Sequence, residues 1–584
     1  ESATLAGIVA SPERYSPRRD AQRALERRRF VLGQMREKRF ISPELEQQAA
    51  SATLSLAPLS DDESDLAPEV VAIAKQALER VAPGQASRGG FTVSSTIDPA
   101  LQAAARRAIR ENLQDYAKKY HLDPPYNEKS GRLWGPLTTA TPRRFHAAVG
   151  EVIAANDAEG TLDVRTAGIV GQVRLSHETW LNSKNLPPSK FASIGARIRV
   201  VIEGDLTESK PLMRLDPVPQ SALVAIDVRT RQVLALVGSR EALPGGLDRA
   251  TQSRRQPGSS FKPFVYSQAL SSHKYTPATI ITLPPAPSRP DGLKLSLRDA
   301  LARSENDVAL QLLEVVGAPR VIEFAKACGI ESKLAPTPSL ALGAYEVTPL
   351  EITNAYATFA SGGVSAAPVF ITRIARSDGK ELPLATPAES KQLMSPDDAY
   401  LITSLMRSVV ERGTAQRAKR LGRPVVGKTG TTNQAKDTWF VGYSPEIVAG
   451  VWVGFDDAVS LGRSETGGNT ALPAWVEFMK AALAGRPTTE FARPAGIVVE
   501  RIDPHTGLLA FADQSDAIEE EFLPGTAPSE TAAPDAGVPE PSASTETQLQ
   551  PAAPASSAVP DSAKPAAEPA EREEPSKLDP NGDL

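Results

Sequence analysis

Arg255-Gln256-Pro257-Gly258-Ser259-Ser260-Phe261-Lys262-Pro263 is the stretch on which the fold and chemistry of this chain turn. Pro257-Gly258 is a turn, and Pro263 fits the first turn of a helix, where its missing N–H costs nothing. Ser259 is therefore expected at a helix N-terminus, where the dipole favours developing negative charge. Lys262 follows three residues later, so its amine leaves the same face and can reach the Ser259 hydroxyl. A serine is a weak nucleophile until a neighbouring base takes its proton. A lysine can be that base only if burial and other cations depress its pKa. Ser260 is a rival serine, but three residues beyond it stands Pro263 rather than a base.

Two more motifs follow in order. Ser304-Glu305-Asn306 comes after Ser296-Leu297-Arg298-Asp299, which resembles a capping box opening a helix. The Ser-x-Asn unit is expected at the far end of that helix, where a second one, Asp307–Val316, begins. Ser304 could relay a proton there and Asn306 could hold a substrate amide. Lys428-Thr429-Gly430-Thr431-Thr432 follows the apolar run Pro424–Gly427. Gly430 permits close backbone approach, as when a peptide pairs with a strand edge. Lys428 is a second cation that would keep Lys262 neutral, and the threonine hydroxyls can bind a terminal carboxylate. Taken singly these motifs are weak, and Lys-Thr-Gly is more often a surface turn. Three in order, each at a helix or strand end, are a much stronger signal.

Around them, Ala222–Val237 alternates across a turn at Arg229–Arg231 and predicts a hairpin. Val441–Gly454 supplies two more strand-like runs, and Ala474–Leu483 a helix. Strands at both ends with helices between predict an α+β domain whose sheet is closed by distant parts of the chain. Upstream, β-like runs at Ala147–Ala154, Thr161–Arg165, Gly168–Leu175, Ala196–Ile202 and Pro211–Leu215 predict a small OB-like barrel. Phe91–Ile97 reads as a strand. Asp98-Pro99 then caps a helix whose Leu101, Ala105, Ala108, Ile109 and Tyr116 recur at helical spacing. Asp20 and Ser42 open two further helices, with Arg27–Arg29 expected on a solvated face.

The organisation expected is thus 1–55 helical, 56–142 a linker region with a strand and a helix, 143–216 the β domain and 217–490 the α/β region. A C-terminal extension, 491–526, is semi-ordered at most, and a Pro/Ala/Glu-rich tail, 527–584, is expected to be disordered. The tail holds eleven acids against three bases, a balance of −8, so the net charge of −5 leaves the rest near +3. Such a segment buries too little apolar surface to offset its ordering entropy. The overall acidity is therefore no statement about substrate, and nothing points to nucleic acid. Cys328 is the one cysteine, which excludes an intrachain disulfide; it reads as a small core residue. The five histidines show no ligand spacing, so no metal is expected. No run approaches the roughly 18 apolar residues of a membrane span. The chain starts at Glu1, and the simplest expectation is a piece that has lost its N-terminus.

The wording around the motifs resembles the class A penicillin-binding proteins, whose motif set is this one. Arg255–Pro263 is similar to their nucleophile segment, as are Ser221–Asp227, Leu340–Gly343, Ala355–Ala357, Gly427–Thr432 and Asp437–Gly442 to neighbouring parts. Residues 1–55 resemble only the end of the family's glycosyltransferase domain, through Leu5-Ala6-Gly7, Ser11-Pro12, Tyr15-Ser16-Pro17 and Arg28–Leu32. Its catalytic glutamate motif and Gly-Gly-Ser-Thr-Ile-Thr-Gln-Gln segment are absent, so glycosyltransferase activity is not assigned to this chain. The resemblance implies an α+β multidomain protein: a glycosyltransferase remnant, an OB-like domain, and a transpeptidase domain with an antiparallel sheet flanked by helices, as in serine β-lactamases.

It implies, further, a D,D-transpeptidase acting on peptidoglycan stem peptides and acylated by β-lactams, without metal or organic cofactor. Ser259, Lys262, Ser304 and Lys428 would be catalytic. Asn306, Thr429, Gly430 and Thr431 would bind substrate, with the Ser259 and Thr431 amides as the oxyanion hole. The intact protein would carry a membrane anchor and a glycosyltransferase, face the extracytoplasmic side, and meet cell-wall synthesis proteins through the β domain or the tail. Alternatives are a carboxypeptidase using water, a β-lactam sensor or wall-binding scaffold, and a β-lactamase. The last needs a base that activates water, and Glu351 with Asn354 is one residue short of that spacing.

Overall fold

The computed structural model describes residues 2–534 apart from 12–14, 18–19, 54–66, 87–88, 131–133, 141–142, 179, 242–245, 288 and 385–388. The tail expected to be disordered lies, from 535 onward, outside the described residues.

Three helices are described in full at the start of the chain: α1 (Ser2–Val9), α2 (Ala21–Glu37) and α3 (Pro43–Ser51). Asp20 and Ser42 cap the last two, each accepting a backbone N–H three residues on. The solvated face expected for Arg27–Arg29 holds only for Arg29. Arg28 is buried and donates to Ala50 O at 3.0 Å and Ala52 O at 2.7 Å. Arg27 lies over the Tyr15 and Phe30 rings. A helix end leaves carbonyls without partners, and an arginine from the adjacent helix can supply them.

Helices α4 (Pro68–Val81) and α5 (Pro99–Lys119) flank β1 (Phe91–Ser95). This stretch, read as a linker region, is built into the core. Strand β1 pairs antiparallel with Ile371–Arg376, and α5 buries Leu101, Ala105, Ala108, Ile109 and Tyr116. Asp98 caps α5 by accepting from the amides of Ala100 and Leu101. Five strands then close a barrel: β2 (Ala147–Asn156), β3 (Thr161–Thr166), β4 (Ile169–Arg174), β5 (Arg197–Ile202) and β6 (Leu212–Leu215), in the order β2-β3-β4-β6-β5. Its core is its own, with Val152, Leu162, Val164, Val173, Ile198 and Val200 inside. Short β-like runs are what made these strands legible.

The central sheet is antiparallel, with β7 (Gln220–Asp227) and β8 (Val233–Val237) joined to three strands from some 200 residues later. These are β11 (Val426–Thr431), β12 (Asp437–Tyr443) and β13 (Ile447–Gly454), after the short hairpin β9 (Ile280–Leu283) and β10 (Leu293–Ser296). The order is β11-β12-β13-β7-β8, so β7 pairs with β13 along its whole length. Every residue of β12 and β13 is buried, which requires cover on both faces. The helices that follow are α6 (Lys262–Leu270), α7 (Leu297–Arg303), α8 (Asn306–Val316), α9 (Pro349–Ala360), α10 (Pro396–Glu411) and, beyond β13, α11 (Leu472–Ala482). Of these α9 and α11, the latter beside α5, pack on β12 and β13, and α10 packs on β11. Cys328 is fully buried in this core.

The extension beyond 490 departs from expectation. Strands β14 (Val498–Ile502) and β15 (Ile518–Phe522) form an antiparallel hairpin, docked through Ala278, Ile502 and Phe522. Its sequence, Val-Val-Glu-Arg-Ile and Ile-Glu-Glu-Glu-Phe, holds too many charges to read as core. Two of these charges, Glu520 and Glu521, are partnered by residues remote in sequence, which pattern reading cannot see. No described helix is long and apolar enough to cross a membrane.

Candidate active site

Ser259 lies in a single 3₁₀ turn, Gly258–Phe261, that runs into α6, with Lys262 the first residue of the α-helix. The turn exists because Gly258 takes φ +54, a conformation a side chain resists. A Cβ there would also stand 2.8 Å from Thr431 O, so the glycine lets the turn lie directly on β11. From the other side, Gly343 O accepts from Gly258 N at 3.2 Å. Ser259 is half-buried, and its Oγ makes no hydrogen bond among the described residues. Ser260 is fully buried, and its hydroxyl is spent on Pro257 O at 2.7 Å. Of the two serines, only Ser259 is available for reaction.

Gly430 has a different neighbour from the one expected. An added Cβ would fall 2.2 Å from Pro257 O, so the close approach it permits is that of the nucleophile turn itself. Sequence showed that something had to come near Gly430; only folding shows that the partner lies 173 residues upstream.

The three motifs meet. Lys262 is fully buried, and its Nζ donates to Ser304 O at 2.6 Å and Asn306 Oδ1 at 2.7 Å, with Ser304 Oγ at 3.3 Å. Lys428, also fully buried, donates from Nζ to the same Ser304 Oγ at 2.8 Å and to Thr429 O at 3.2 Å. The expected contact of Lys262 with the Ser259 hydroxyl is absent. A buried amine needs acceptors, and the C-terminal end of α7 provides them closer at hand. Ser304 is the cap of α7 and takes φ 64, ψ 39, the left-handed region. That bend turns the chain from α7 into α8 and brings both Ser304 O and Asn306 Oδ1 to one amine.

The electrostatics follow from burial. Desolvation lowers Lys262 from 10.5 to about 7, against the opposing pull of Glu305 and Asp307. This disfavours its charged form by on the order of 5 kcal/mol. Lys428 is pushed well below its ordinary value, first by burial and then by Lys262. Burial is thus the first cause of the lowered value at both amines, and their mutual repulsion, which the sequence reading expected to act on Lys262, comes second.

Two supporting residues escaped the sequence analysis. Thr414 Oγ1 lies 2.6 Å from Thr429 Oγ1, and Gly467 N donates to Thr431 Oγ1 at 3.0 Å. The Gly467-Gly468 pair signals a tight turn but not its address, and Thr414 carries no signal at all. Glu351, the look-alike water-activating base, is fully engaged: it accepts from Ser332 N at 2.8 Å, Ser332 Oγ at 2.7 Å and Thr348 N at 2.7 Å, capping α9. Asn354 Nδ2 donates to Ala366 O at 3.0 Å.

A half-exposed serine turn, two buried amines sharing one hydroxyl, and a sheet edge thus lie together, the groups that acyl transfer to a serine would use. The sequence model of the penicillin binding protein transpeptidase domain matches residues 221–455, which span all three motifs. Penicillin-binding protein 1A of Pseudomonas aeruginosa is 31% identical over 89% of this chain and 72% of its own length. The namesake protein of Aquifex aeolicus is 31% identical over 90% and 72%, and that of Neisseria lactamica 32% over 85% and 66%. The crystal structure of penicillin-binding protein 1A from Haemophilus influenzae superposes with a TM-score of 0.66 at 28% identity, covering 91% of this chain and 86% of that one. This chain belongs to the penicillin-binding protein 1A family. It is a peptidoglycan D,D-transpeptidase.

Proposed function

We propose that the reaction runs through an acyl-enzyme on Ser259. Neutral Lys262 takes the Ser259 proton as Oγ attacks the carbonyl carbon of the penultimate D-Ala of a stem peptide. The oxyanion is met by the Ser259 and Thr431 amides. The C–N bond then breaks, and Ser304 Oγ passes a proton from the lysine pair to the departing D-Ala amine. Asn306 Nδ2 steadies the acyl chain, and Thr429, Gly430 and Thr431 hold the terminal carboxylate along β11. The amine of a neighbouring stem attacks the ester, gives its proton back through Lys262, and releases Ser259 with a cross-link made. A β-lactam acylates Ser259 the same way, but its opened ring keeps the leaving amine tethered. The observation that carries this reading is the sharing of Ser304 Oγ by Lys262 and Lys428.

A carboxypeptidase, with water as acceptor, uses the same groups, as would a β-lactam sensor that acylates without turning over. The match to the transpeptidase family favours the cross-linking reading. Fluorescent-penicillin labelling tests it: a stable adduct in the wild type, lost in Ser259→Ala. Labelling retained in Ser259→Ala would show that another serine reacts, and fast release of label would point to a β-lactamase.

For the protein as a whole we propose a bifunctional enzyme. The chain spans 66–72% of the relatives quoted. Residues 1–55 are read as the end of a glycosyltransferase domain, 143–216 as an OB-like domain, 217–490 as the transpeptidase and 491–526 as its extension. An extracytoplasmic location follows from the substrate, and the family resemblance implies anchoring through a segment upstream. The barrel and the tail are the places proposed for docking cell-wall synthesis proteins.

A further inference from the structure

Residues 498–522 carry no recognised motif and lie beyond the transpeptidase match, which ends at 455. Yet a buried ion pair ties their hairpin to the helix that ends in Ser304. Arg298, in the first turn of α7, and Glu520, in β15, are 9% and 2% exposed. Arg298 Nε donates to Glu520 Oε2 at 2.8 Å and Nη2 to Glu520 Oε1 at 2.5 Å, a two-pronged fork. The remaining donors go to α10: Nη1 to Ser404 O at 2.8 Å and Ser408 Oγ at 3.1 Å, Nη2 to Ser404 Oγ at 3.0 Å. The next residue, Glu521, accepts from Tyr400 and Ser404 of the same helix. Gly507, between the strands of the hairpin, lies so close to Ala278 O that a Cβ would stand 2.3 Å away.

The other end of α7 is about 9 Å further along its axis. There Ser304 holds φ 64, which a residue with a side chain keeps only where its surroundings impose it. The segment after α10 grips the same end, Thr414 N donating to Ala302 O at 3.2 Å.

We infer that Arg298 and Glu520 are positioning residues for acylation. The C-terminal hairpin and α10 hold α7 in register, so that Ser304 Oγ stays between Lys262 and Lys428. A buried fork is suited to this: apolar residues of similar size can match its stability, but they supply no directional bonds. The inference rests on the proton-relay role proposed for Ser304.

The test measures acylation by a fluorescent penicillin on the full chain over a concentration series, which separates the non-covalent Kd from the acylation rate constant. Glu520→Gln and Arg298→Lys should each slow acylation about tenfold or more while Kd stays within about twofold. The double variant Arg298→Met/Glu520→Leu should recover most of any lost Tm and still acylate slowly. Recovery of the rate together with Tm, or an unchanged rate in both single variants, would reduce the pair to a structural tie and overturn the inference. Ser259→Ala is run alongside. Labelling that persists in it overturns the reading of the site itself, whereas labelling lost there with normal rates in the Arg298 and Glu520 variants overturns only the positioning role.

Discussion

The two edges of the central sheet are treated in opposite ways. At β8 the exposed ladder is closed by groups from the stretch upstream of the barrel. Thr96 Oγ1 donates to Val233 O at 2.7 Å and Asp98 N to Leu234 O at 2.9 Å. Gln102 takes both backbone groups of Leu236, each at 2.8 Å. Glu69 accepts from Gly238 N at 2.9 Å. At β11 the only hydrogen bond to the outer backbone among the described residues is the one from Lys428 Nζ to Thr429 O. An open strand edge invites another chain, so a sheet normally hides it. Here one edge is hidden by side chains and the other stays open beside the Ser259 turn, as the proposed pairing with a stem peptide requires.

The largest effect that could break this contrast concerns the base at the open edge. Lys262→Met should cut acylation by about 10³-fold or more while leaving the fold intact. In the wild type the rate should rise with pH through about 7 and then level off, because Lys262 must be neutral to accept the proton and loses its charge there. Below that pH the rate should fall about tenfold per unit as the amine protonates. A rising limb centred near 10, the ordinary range of a lysine, would remove Lys262 from the role. The same shift sets a stability trend. With a folded value near 7 and an unfolded one of 10.5, the unfolded chain binds more protons between them, so this group favours the folded state increasingly as pH rises from 7 to 10.5.

Next in size is Gly430→Ala. Its Cβ would collide with Pro257 O and displace the Ser259 turn, so acylation should drop about 10²-fold with a loss of about 2 kcal/mol in urea unfolding. Unfolding cost without any rate change would mean that the turn tolerates the shift. The closed edge gives the smallest effect on acylation. Gln102→Leu strands the buried N–H and C=O of Leu236 and should cost about 3 kcal/mol of stability. Acylation per folded molecule should be unchanged, and a slowed rate would mean that the two edges are coupled.

Much of this was legible before folding. The five barrel strands show as short β-like runs, the hairpin at 220–237 turns at Arg229–Arg231, and the helices after Asp98 and Ser296 announce themselves by caps. What escaped is partnered over long sequence distances. The 498–522 hairpin looks too charged to be ordered until Arg298, 222 residues away, neutralises Glu520. Arg28 looks like a surface charge until the end of α3 needs donors. Thr414 and Gly467 act only through Thr429 and Thr431.

Sequence alone determined which reactive groups exist and which local element carries each, because caps, turns and periodicity are short-range properties. Tertiary structure decided that burial lowers Lys262 to about 7, that Ser304 faces two amines, and that the neighbour of Gly430 is the Ser259 turn. Those outcomes depend on desolvation and close approach, which are set by whatever distant chain packs against a residue.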